Sequence, residues 1–484
     1  MHISIIIKIL GMLLMLFSAL SNLPSVIVSL IYGDGMTDVF LGSFLIQFAV
    51  GLLLWLATMR ASKELGTKDG FLIVTLFWAV LGTAGCLPFI LSDAVSLSFT
   101  DAVFESLSGL TTTGATVISG LDALPRSILF YRQQLQWLGG MGIIVLAMAL
   151  LPILGIGGMQ LYRAESPGPV KDFKLLPRLA ETAKALWYIY LSLTAACALA
   201  YWLAGMNLFD AVSHSFATIA IGGFSTHDQS LGYFNNPAIE GIAVVFMFIA
   251  GINFALHFVA WQNRKLRHYF KDPEFRFYGF ILLVVAAITI AVLYLSATYD
   301  SFSQAFVKGL FQVVSIATTT GFTTADYNSW PLFLPYMLLY AAIIGACAGS
   351  TGGGMKVIRI LLIFKQGIRE VRRLIHPRAI FPIKLGERPV PDRVIESVWG
   401  FFAVYVMVFM LMLLALLASG LDIITAFSAV GACINNLGPG LASVSESYGA
   451  LPATAKWILC CAMLLGRLEV FTLLVLFTPM FWRR

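Results

Sequence analysis

Four short apolar segments, distributed along the chain, share one pattern that ends in glycine. They have the same length from first residue to final glycine, and they are Asp101–Gly114, Asp210–Gly223, Lys308–Gly321 and Thr425–Gly438. Their apolar parts, at 101–113, 209–221, 305–320 and 423–436, are about 12–16 residues long, which is too short to cross a bilayer. Because an internal repeat constrains the whole fold, we expect four structural units, each built around a short re-entrant helix and a glycine turn.

Longer apolar stretches flank these segments, and a spanning helix needs about 20 such residues. Ten candidates lie at about 3–31, 39–59, 70–91, 128–158, 184–205, 237–261, 277–298, 332–364, 394–418 and 454–481. Hydrophobic residues make up 59% of the chain and charged residues 12%, whereas a soluble domain has about 45–50% and about 25%. This balance excludes soluble enzymes and nucleic-acid-binding proteins, and it predicts an all-α polytopic membrane protein. The first stretch contains Lys8 but is too long for a signal peptide, so we expect it to stay in the mature protein.

The basic residues are concentrated on one side of the predicted spans. Most of the 31 lysines and arginines lie near the termini or in the loops 60–69, 160–184, 262–276 and 356–393, whereas the opposite loops are mainly acidic. The positive-inside rule places the basic side, with both termini, in the cytoplasm. The short segments then enter from the outer face, where negative charge raises the local concentration of cations.

The repeat divides the chain into five parts. We expect two additional transmembrane helices at 1–69, followed by four units of helix, pore helix, glycine loop and helix around one central pore. These units are predicted at 70–183, 184–276, 277–393 with a broken second helix and a basic cytosolic stretch, and 394–484.

The four glycine turns are candidate ion ligands. Glycine adopts positive φ readily, which lets successive carbonyls point inward, and a ring of backbone carbonyls can replace the hydration shell of a monovalent cation. The dipoles of short helices aimed at the axis would add a further electrostatic contribution. The alternative is that the glycines only cap packed helices, but four turns at matched positions favour a filter. The candidate filter residues are Thr112, Thr113, Gly114, Ile221, Gly222, Gly223, Thr319, Thr320, Gly321, Asn436, Leu437 and Gly438.

These turns resemble a known family. TTTGAT (111–116), IGGFST (221–226), TTTGFTT (318–324) and NNLGPG (435–440) are similar to the four pore loops of the Trk/Ktr/HKT potassium transporter superfamily. The two additional N-terminal helices, the charged stretch 356–393, GSTGGGMK (349–356) and GRLEVFTLL (466–474) resemble its bacterial TrkH/TrkG branch. Ile221 and Leu437 depart from the TTTG pattern, whereas glycine at 114 matches the potassium-selective members.

The resemblance implies a function and its partners. It implies the pore-forming subunit of a bacterial potassium uptake system, located in the inner membrane, with potassium as the transported ion and no organic cofactor. It further implies a homodimer that docks on a cytosolic, nucleotide-binding regulatory ring of the TrkA type. The basic stretch 356–393 would serve as the docking surface, or alternatively as a lipid-facing or solvated segment.

A second glycine-rich segment interrupts the eighth apolar stretch. Each glycine in a helix costs about 1 kcal/mol relative to alanine, so Gly345, Gly349, Gly352, Gly353 and Gly354 predict an unwound loop. The resemblance gives this loop a gating role beneath the filter, and the alternative is a kink for close helix packing. A nucleotide-binding P-loop does not fit, because Met355 separates Gly354 from Lys356 and no strand precedes them.

Arg467 lies far from both ends of the last apolar stretch. A charge at that depth faces the bundle interior or water, so we expect Arg467 to bind carbonyls of the glycine-rich loop or to repel cations below the filter. The alternative is a side chain that extends to the interface. In the sixth stretch, Asn253 and His257 share a helix face and are expected to make a buried polar contact between helices.

Two classes of function remain open from the residues alone. The first is a potassium-conducting pore or ion-coupled uptake protein. The second is a membrane enzyme, or a secondary transporter of another cation or an organic solute. The histidines are scattered and the six cysteines have no metal-ligand spacing, and a solute transporter would more often show two halves with charges at mid-depth. We therefore favour the pore.

Overall fold

The computed structural model describes residues 2–61, 66–142, 179–331, 333–386 and 388–482. Two long N-terminal helices, Ile3–Tyr32 and Thr37–Thr58, pack against each other and precede a pattern that repeats four times. Of the described helices, six are long and apolar enough to cross a membrane, or seven if one bent pair counts as a single span. The helical membrane architecture predicted from the sequence is confirmed.

Each unit begins with a long helix that leads to a short one. The leading helices are Thr67–Ala84 (followed by Leu87–Leu91), Leu179–Leu203, Pro273–Leu295 and Asp392–Ala418. The short helices, here called the central helices, are Phe99–Leu110, Leu208–Ala220, Phe302–Ala317 and Ile423–Ile434. The second halves of these four helices are almost entirely buried. The first central helix is buried at each position from Ala102 to Leu110. The four predicted re-entrant segments therefore form the interior of the molecule.

A loop, a single 3₁₀ turn and a further helix complete each unit. The 3₁₀ turns are Leu121–Ala123, Ser230–Phe234, Tyr327–Ser329 and Ala442–Val444. The helices that follow, here called the return helices, are Arg126–Gly140, Pro237–Ala250, Leu334–Ile344 and Ala453–Arg467. Each is too short to span a bilayer core, which needs about 20 residues.

Two of the predicted spans are not continuous helices. The stretch 237–261 breaks after Ala250, and Phe254–Asn263 leaves at 92°. Asn253 caps this second helix by accepting from the Ala255 N–H (2.8 Å). The buried His257 makes the expected polar contact between helices, with the Tyr269 hydroxyl at 2.8 Å and the Ile249 carbonyl at 3.0 Å. The stretch 454–481 ends its helix at Arg467, and Glu469 and Val470 adopt positive φ. Arg467 thus occupies a helix end rather than the middle of a span.

The remaining elements are the helix after the glycine-rich interruption, a small pair of strands and several short helices. The eighth stretch is interrupted as expected, and Val357–Ile375 resumes the helix beyond the glycines. Two two-residue strands, Lys384–Leu385 and Arg388–Pro389, pair antiparallel before the last unit and add a small β element to the predicted all-helical fold. Further short helices are Arg267–Lys271, Phe471–Leu474 and Pro479–Trp482, with a 3₁₀ turn at Val475–Phe477. The second half of the stretch 128–158 and most of the basic loop 160–184 lie outside the described residues.

Candidate functional site

All four central helices begin with the same side-chain cap. The residue before each helix accepts a hydrogen bond from the backbone N–H three positions later, which satisfies one of the free donors of the first turn. These capping residues are Ser98, Asn207, Ser301 and Asp422. Such caps fix where each helix starts, but the third central helix has 16 residues whereas the others have 12 or 13, so it begins about one turn earlier relative to its glycine.

The loops after the central helices, here called the central loops, share one backbone conformation. In each, two residues that are separated by one position adopt positive φ: Thr112 and Gly114, Ile221 and Gly223, Thr319 and Gly321, and Asn436 and Gly438. The second of each pair is the glycine that the sequence repeat singles out. The first is Thr, Ile or Asn, for which a left-handed conformation costs roughly 1–2 kcal/mol. Because this cost recurs at four matched positions, the surrounding structure must hold the loops in this backbone shape.

A backbone hydrogen bond holds each central loop to its helix. The residue between the two positive-φ positions donates its N–H to the carbonyl five residues earlier, with N···O of 2.8 Å in all four loops. This is the longer of the two bonds in a Schellman motif, the usual end of a helix that turns sharply. The four donor–acceptor pairs are Thr113 with Ser108, Gly222 with Ala217, Thr320 with Ser315, and Leu437 with Ala432.

The central loops form a closed ring. A Cβ atom added to any of the four glycines would press on the carbonyl oxygen of the residue before the glycine in the next loop. The pairs, glycine first and carbonyl second, are Gly114 with Gly222, Gly223 with Thr320, Gly321 with Leu437, and Gly438 with Thr113. The contacts run from the first loop through the fourth and back to the first. All twelve candidate filter residues are therefore brought together around one axis.

Side chains of other elements support this ring. Gln136 of the first return helix donates to the Gly222 carbonyl (2.6 Å) and accepts from the Phe224 N–H (3.0 Å). Asn436 donates to Thr113 Oγ1 (3.0 Å), which joins the fourth loop to the first. Because polar partners at both loops fix their orientation, these braces resist collapse of the ring.

A buried ion pair lies beside the first loop. Arg132 Nε donates to Glu105 Oε1 at 2.8 Å, and neither side chain is more than 1% exposed. Arg132 also donates to the Ser225 carbonyl (3.1 Å), while Glu105 accepts from the Val117 N–H (2.9 Å). The pair therefore ties the first unit to the segment that follows the second central loop.

The other basic residues on this side are also engaged. Lys308 pairs with Glu240 at 2.6 Å, Lys456 pairs with Asp101 at 2.5 Å, and the Arg126 guanidinium lies 4.4 Å from the centre of the Tyr32 ring.

His227 connects two units at the entrance. Its ring contacts the carboxylates of Asp122 and Asp210 and stacks on Tyr233. Burial lowers the pKa of His227, but the hydrogen bonds and charges of Asp210 and Asp122 outweigh this effect and hold the pKa above its usual value. The sequence pattern gave no signal for this contact, because Asp122 and His227 belong to different repeats.

The glycine-rich loop, residues 345–356, lies against the C-terminal ends of the central helices. The Gly353 N–H donates to Thr319 Oγ1 (2.7 Å), the Gly354 N–H to the Asn435 carbonyl (3.1 Å), and Thr351 Oγ1 to the Ile219 carbonyl (2.9 Å). The loop therefore touches the second, third and fourth units directly beneath the central loops.

Close packing explains the glycines of this loop. Gly345, Gly349 and Gly354 have positive φ, and a Cβ on Gly353 would press on the Asn435 carbonyl. A Cβ on Gly352 would come within 2.6 Å of the Ala346 Cβ and 2.9 Å of the Thr318 carbonyl. All five candidate gate glycines thus occupy positions that a larger residue would strain.

Arg467 connects the glycine-rich loop to the first unit. Its Nη1 donates to the Thr351 carbonyl (3.3 Å) and its Nη2 to the Gly139 carbonyl (2.7 Å). The guanidinium also lies 5.1 Å from the centre of the buried Trp78 ring. Through Arg467, the structure beneath the ring includes all four units.

Charged residues that were not candidate site residues in the sequence also surround this loop. Lys356 donates to the Gly352 carbonyl, and Arg359 pairs with Glu469. Glu274, buried at the start of the third leading helix, accepts from the N–H groups of Ala348 (2.7 Å) and Ile358 (3.2 Å). Glu274 gave no signal because it lies just outside its apolar stretch. These contacts fix both ends of the loop.

The described parts of the chain contain no cluster of metal-ligating side chains. Within those ranges, no group of three or more His, Cys, Asp or Glu side chains could hold a metal ion. All six cysteines are free, and five of them are buried.

Comparison with known proteins gives one consistent result. "Trk system potassium uptake protein TrkH" of Halomonas elongata is 58% identical over the whole of both chains, and the TrkG protein of Escherichia coli K12 is 42% identical over 100% of this chain and 99% of its own. The crystal structure of the potassium transporter TrkH from Vibrio parahaemolyticus matches with a TM-score of 0.91 at 55% identity, covering all of both chains. The TrkH family, described as a cation transport protein, matches residues 36–484. These relatives are transport proteins, and the chain belongs to the TrkH family of multi-pass membrane cation transport proteins.

Proposed function

We propose that this protein takes up potassium across the bacterial inner membrane through a pore whose filter is the ring of central loops. The observation that carries the proposal is the closed set of four glycine–carbonyl contacts, from Gly114 to Gly222 and around to Gly438 and Thr113. In this proposal, residues 1–69 add two helices, and the units 70–183, 184–276, 277–393 and 394–484 surround the pore.

Backbone oxygens perform the selection. Alternating left-handed residues orient neighbouring carbonyls to one side, so that they can replace the hydration shell of a potassium ion. The C-terminal ends of the four central helices carry partial negative charge, which favours a cation at this point. Because the second and fourth loops carry Ile221 and Leu437 in place of threonine, we expect weaker discrimination against sodium than fourfold-identical loops would give.

The glycine-rich loop and Arg467 form the gate. The loop lies below the second, third and fourth central helices, and the Arg467 guanidinium places a positive charge beside the first unit. A cation that leaves the filter meets both a steric and an electrostatic barrier. Opening requires the loop to move. A partner that binds the open state more tightly than the closed state supplies the free energy for this movement.

The partner is a cytosolic, nucleotide-binding ring of the TrkA type, and the protein acts as a homodimer. The relatives' names describe components of a Trk system, and the basic stretch 356–393 offers a charged surface directly after the gate. The distribution of basic residues supports a cytoplasmic location for this stretch and for both termini.

Potassium flux into liposomes tests the proposal. Purified protein is reconstituted, and potassium uptake is measured with and without a pH gradient, with and without the cytosolic partner, and with sodium in place of potassium. We expect potassium uptake that exceeds sodium uptake and rises with the partner. A reconstituted protein that moves an organic solute but no potassium would overturn the proposal.

A further inference from the structure

A crevice between the second and third units lies away from the ring of central loops. Its volume is about 330 Å³, at the lower end of the range for small-molecule sites. Its lining combines charged and polar side chains: Asn235, Pro237, Glu240, Tyr299, Ser303, Gln304, Val307 and Lys308. These residues lie at or just before the start of the second return helix and of the third central helix, so the crevice opens on the face where the central helices begin.

The crevice contains an ion pair in which one carboxylate oxygen has no hydrogen-bond partner among the described residues. Lys308 Nζ donates to Glu240 Oε1 at 2.6 Å. Glu240 is 2% exposed, and its other oxygen, Oε2, is buried without a hydrogen-bond partner among the described residues. A buried acceptor of this kind costs free energy until a donor reaches it. The Lys308 side chain is 21% exposed and keeps donor capacity for an anion.

These two groups specify the charge of a ligand. A simple cation would be attracted by Glu240 Oε2 but repelled by the ammonium group at 2.6 Å from Oε1. A simple anion would be attracted by Lys308 but repelled by the carboxylate. A ligand with both an N–H-bearing cation and an anionic group satisfies both residues, and Ser303 and Gln304 add polar groups at the rim.

The surroundings of the crevice are those of a lipid-facing surface. On the third central helix, Phe302 and Phe306 are 57% and 44% exposed and lie one position before the lining residues Ser303 and Val307. The Phe302 ring packs edge to face on Tyr294, at 5.6 Å between ring centres. Exposed aromatic rings of this kind are typical of the membrane–water boundary.

We propose that this crevice binds the headgroup of a phosphatidylethanolamine molecule. The Lys308 side chain turns toward the lipid phosphate, the lipid ammonium then donates to the Glu240 carboxylate, and the acyl chains extend along Phe302 and Phe306. The bound lipid joins the second unit to the third, independently of any ion in the filter.

Lipid retention and thermal unfolding test this site. The purified protein is supplied with phosphatidylethanolamine, phosphatidylcholine or phosphatidylglycerol at equal mole fraction, and bound lipid is counted by native mass spectrometry. Choline lacks N–H donors, and phosphatidylglycerol lacks the cation. We therefore expect about tenfold stronger retention of phosphatidylethanolamine, equal to about 1.4 kcal/mol, with a matching rise in the unfolding midpoint.

A variant with a large side chain in the crevice is compared with a variant that carries the same change elsewhere. Ser303→Phe should remove the preference for phosphatidylethanolamine and leave stability without lipid unchanged. Thr100→Phe, which also changes the second residue of a central helix but lies in the first unit, should keep the preference. Soluble glycerophosphoethanolamine should not reproduce the stabilisation at the same concentration, because it lacks acyl chains. Equal retention of the three lipids, a preference that survives Ser303→Phe, or equal stabilisation by the soluble headgroup would each overturn the proposal.

Discussion

The guanidinium of Arg467 donates a hydrogen bond to the Thr351 carbonyl at 3.3 Å, which joins the last return helix to the glycine-rich loop. The same side chain reaches the Gly139 carbonyl of the first unit at 2.7 Å. A guanidinium offers several donors in a fixed plane and accepts none. It can therefore hold two carbonyls from different units in place at once, which a lysine could not do with the same geometry.

Removal of this side chain should open the gate. We expect Arg467→Ala to raise basal potassium flux in partner-free vesicles by about tenfold, since hydrogen bonds to a charged group contribute about 1.5–3 kcal/mol. Arg467→Lys should give an intermediate flux, because it keeps the charge but loses the fork. Arg373→Ala, which removes a half-exposed arginine paired with Glu370, is the control and should leave flux unchanged. A folded, inserted Arg467→Ala protein with parental flux would contradict the gate.

The close packing of Gly353 gives a second test of the gate. Gly353→Ala places a methyl group against the Asn435 carbonyl, so the loop must move away from the fourth central helix and basal flux should rise. Deletion of several residues within 345–354 should also raise basal flux. Gly367→Ala is the matched control, because Gly367 lies in a helix with no atom within 4 Å of an added Cβ. If both alanine variants conducted alike, the loop would not be the barrier.

Substitution of the ring glycines should reduce ion preference. Gly223→Ser must accept both a positive φ of 78° and a clash with the Thr320 carbonyl, so we expect a loss of potassium-over-sodium preference in flux assays. Gly114→Ser, Gly321→Ser and Gly438→Ser should act in the same direction. Gly120→Ser is the control, because its φ of 76° carries the same backbone cost but its Cβ would meet nothing within 4 Å. Unchanged preference in all four ring variants would exclude these loops as the filter.

His227 should make stability depend on pH. Its pKa is raised in the folded protein, so its contribution is fully present below the unfolded value of about 6.5 and is lost as pH rises through the higher folded value. The groups that face it are Asp122 and Asp210, with His214 beyond Asp210. We expect the unfolding midpoint to fall more between pH 6 and pH 8.5 in the parent than in His227→Gln. Parallel pH profiles for the two proteins would rule out this contribution.

Breaking the buried pair of Glu105 and Arg132 should be costly. Removal of one member of a buried ion pair typically costs about 3–5 kcal/mol, because the other charge stays buried. We expect Glu105→Gln to lower the unfolding midpoint strongly. Glu370→Gln breaks a pair whose side chains are both about half exposed, and such surface pairs contribute about 0–1 kcal/mol. Similar midpoints for the two variants would contradict a structural role for Glu105.

The sequence repeat predicted the central helices and loops because each position is constrained locally. A capping residue starts each helix and a glycine completes each turn, so both features are visible in the residues themselves. The glycine-rich interruption was visible for the same reason. The positive φ at Thr112, Ile221, Thr319 and Asn436 was not, since these residues do not usually adopt it.

Features that depend on contacts between units could not be predicted. Hydropathy hardly changes across Gly251 or beyond Arg467, so both helices looked continuous although they end there. Glu274, Gln136 and His227 act through partners more than 70 residues away in the chain. No local pattern encodes such partners.

The central claim is that the carbonyls of the central loops bind a monovalent cation. Diffraction from crystals grown with rubidium in place of potassium tests it directly, because anomalous scattering locates the ion without assumptions about the protein. We expect an anomalous peak on the axis among the carbonyl oxygens of Thr113, Gly222, Thr320 and Leu437, which is lost in Gly223→Ser and kept in Gly120→Ser. A rubidium peak elsewhere in the molecule, with none among these four oxygens, would exclude the ring of central loops as the filter.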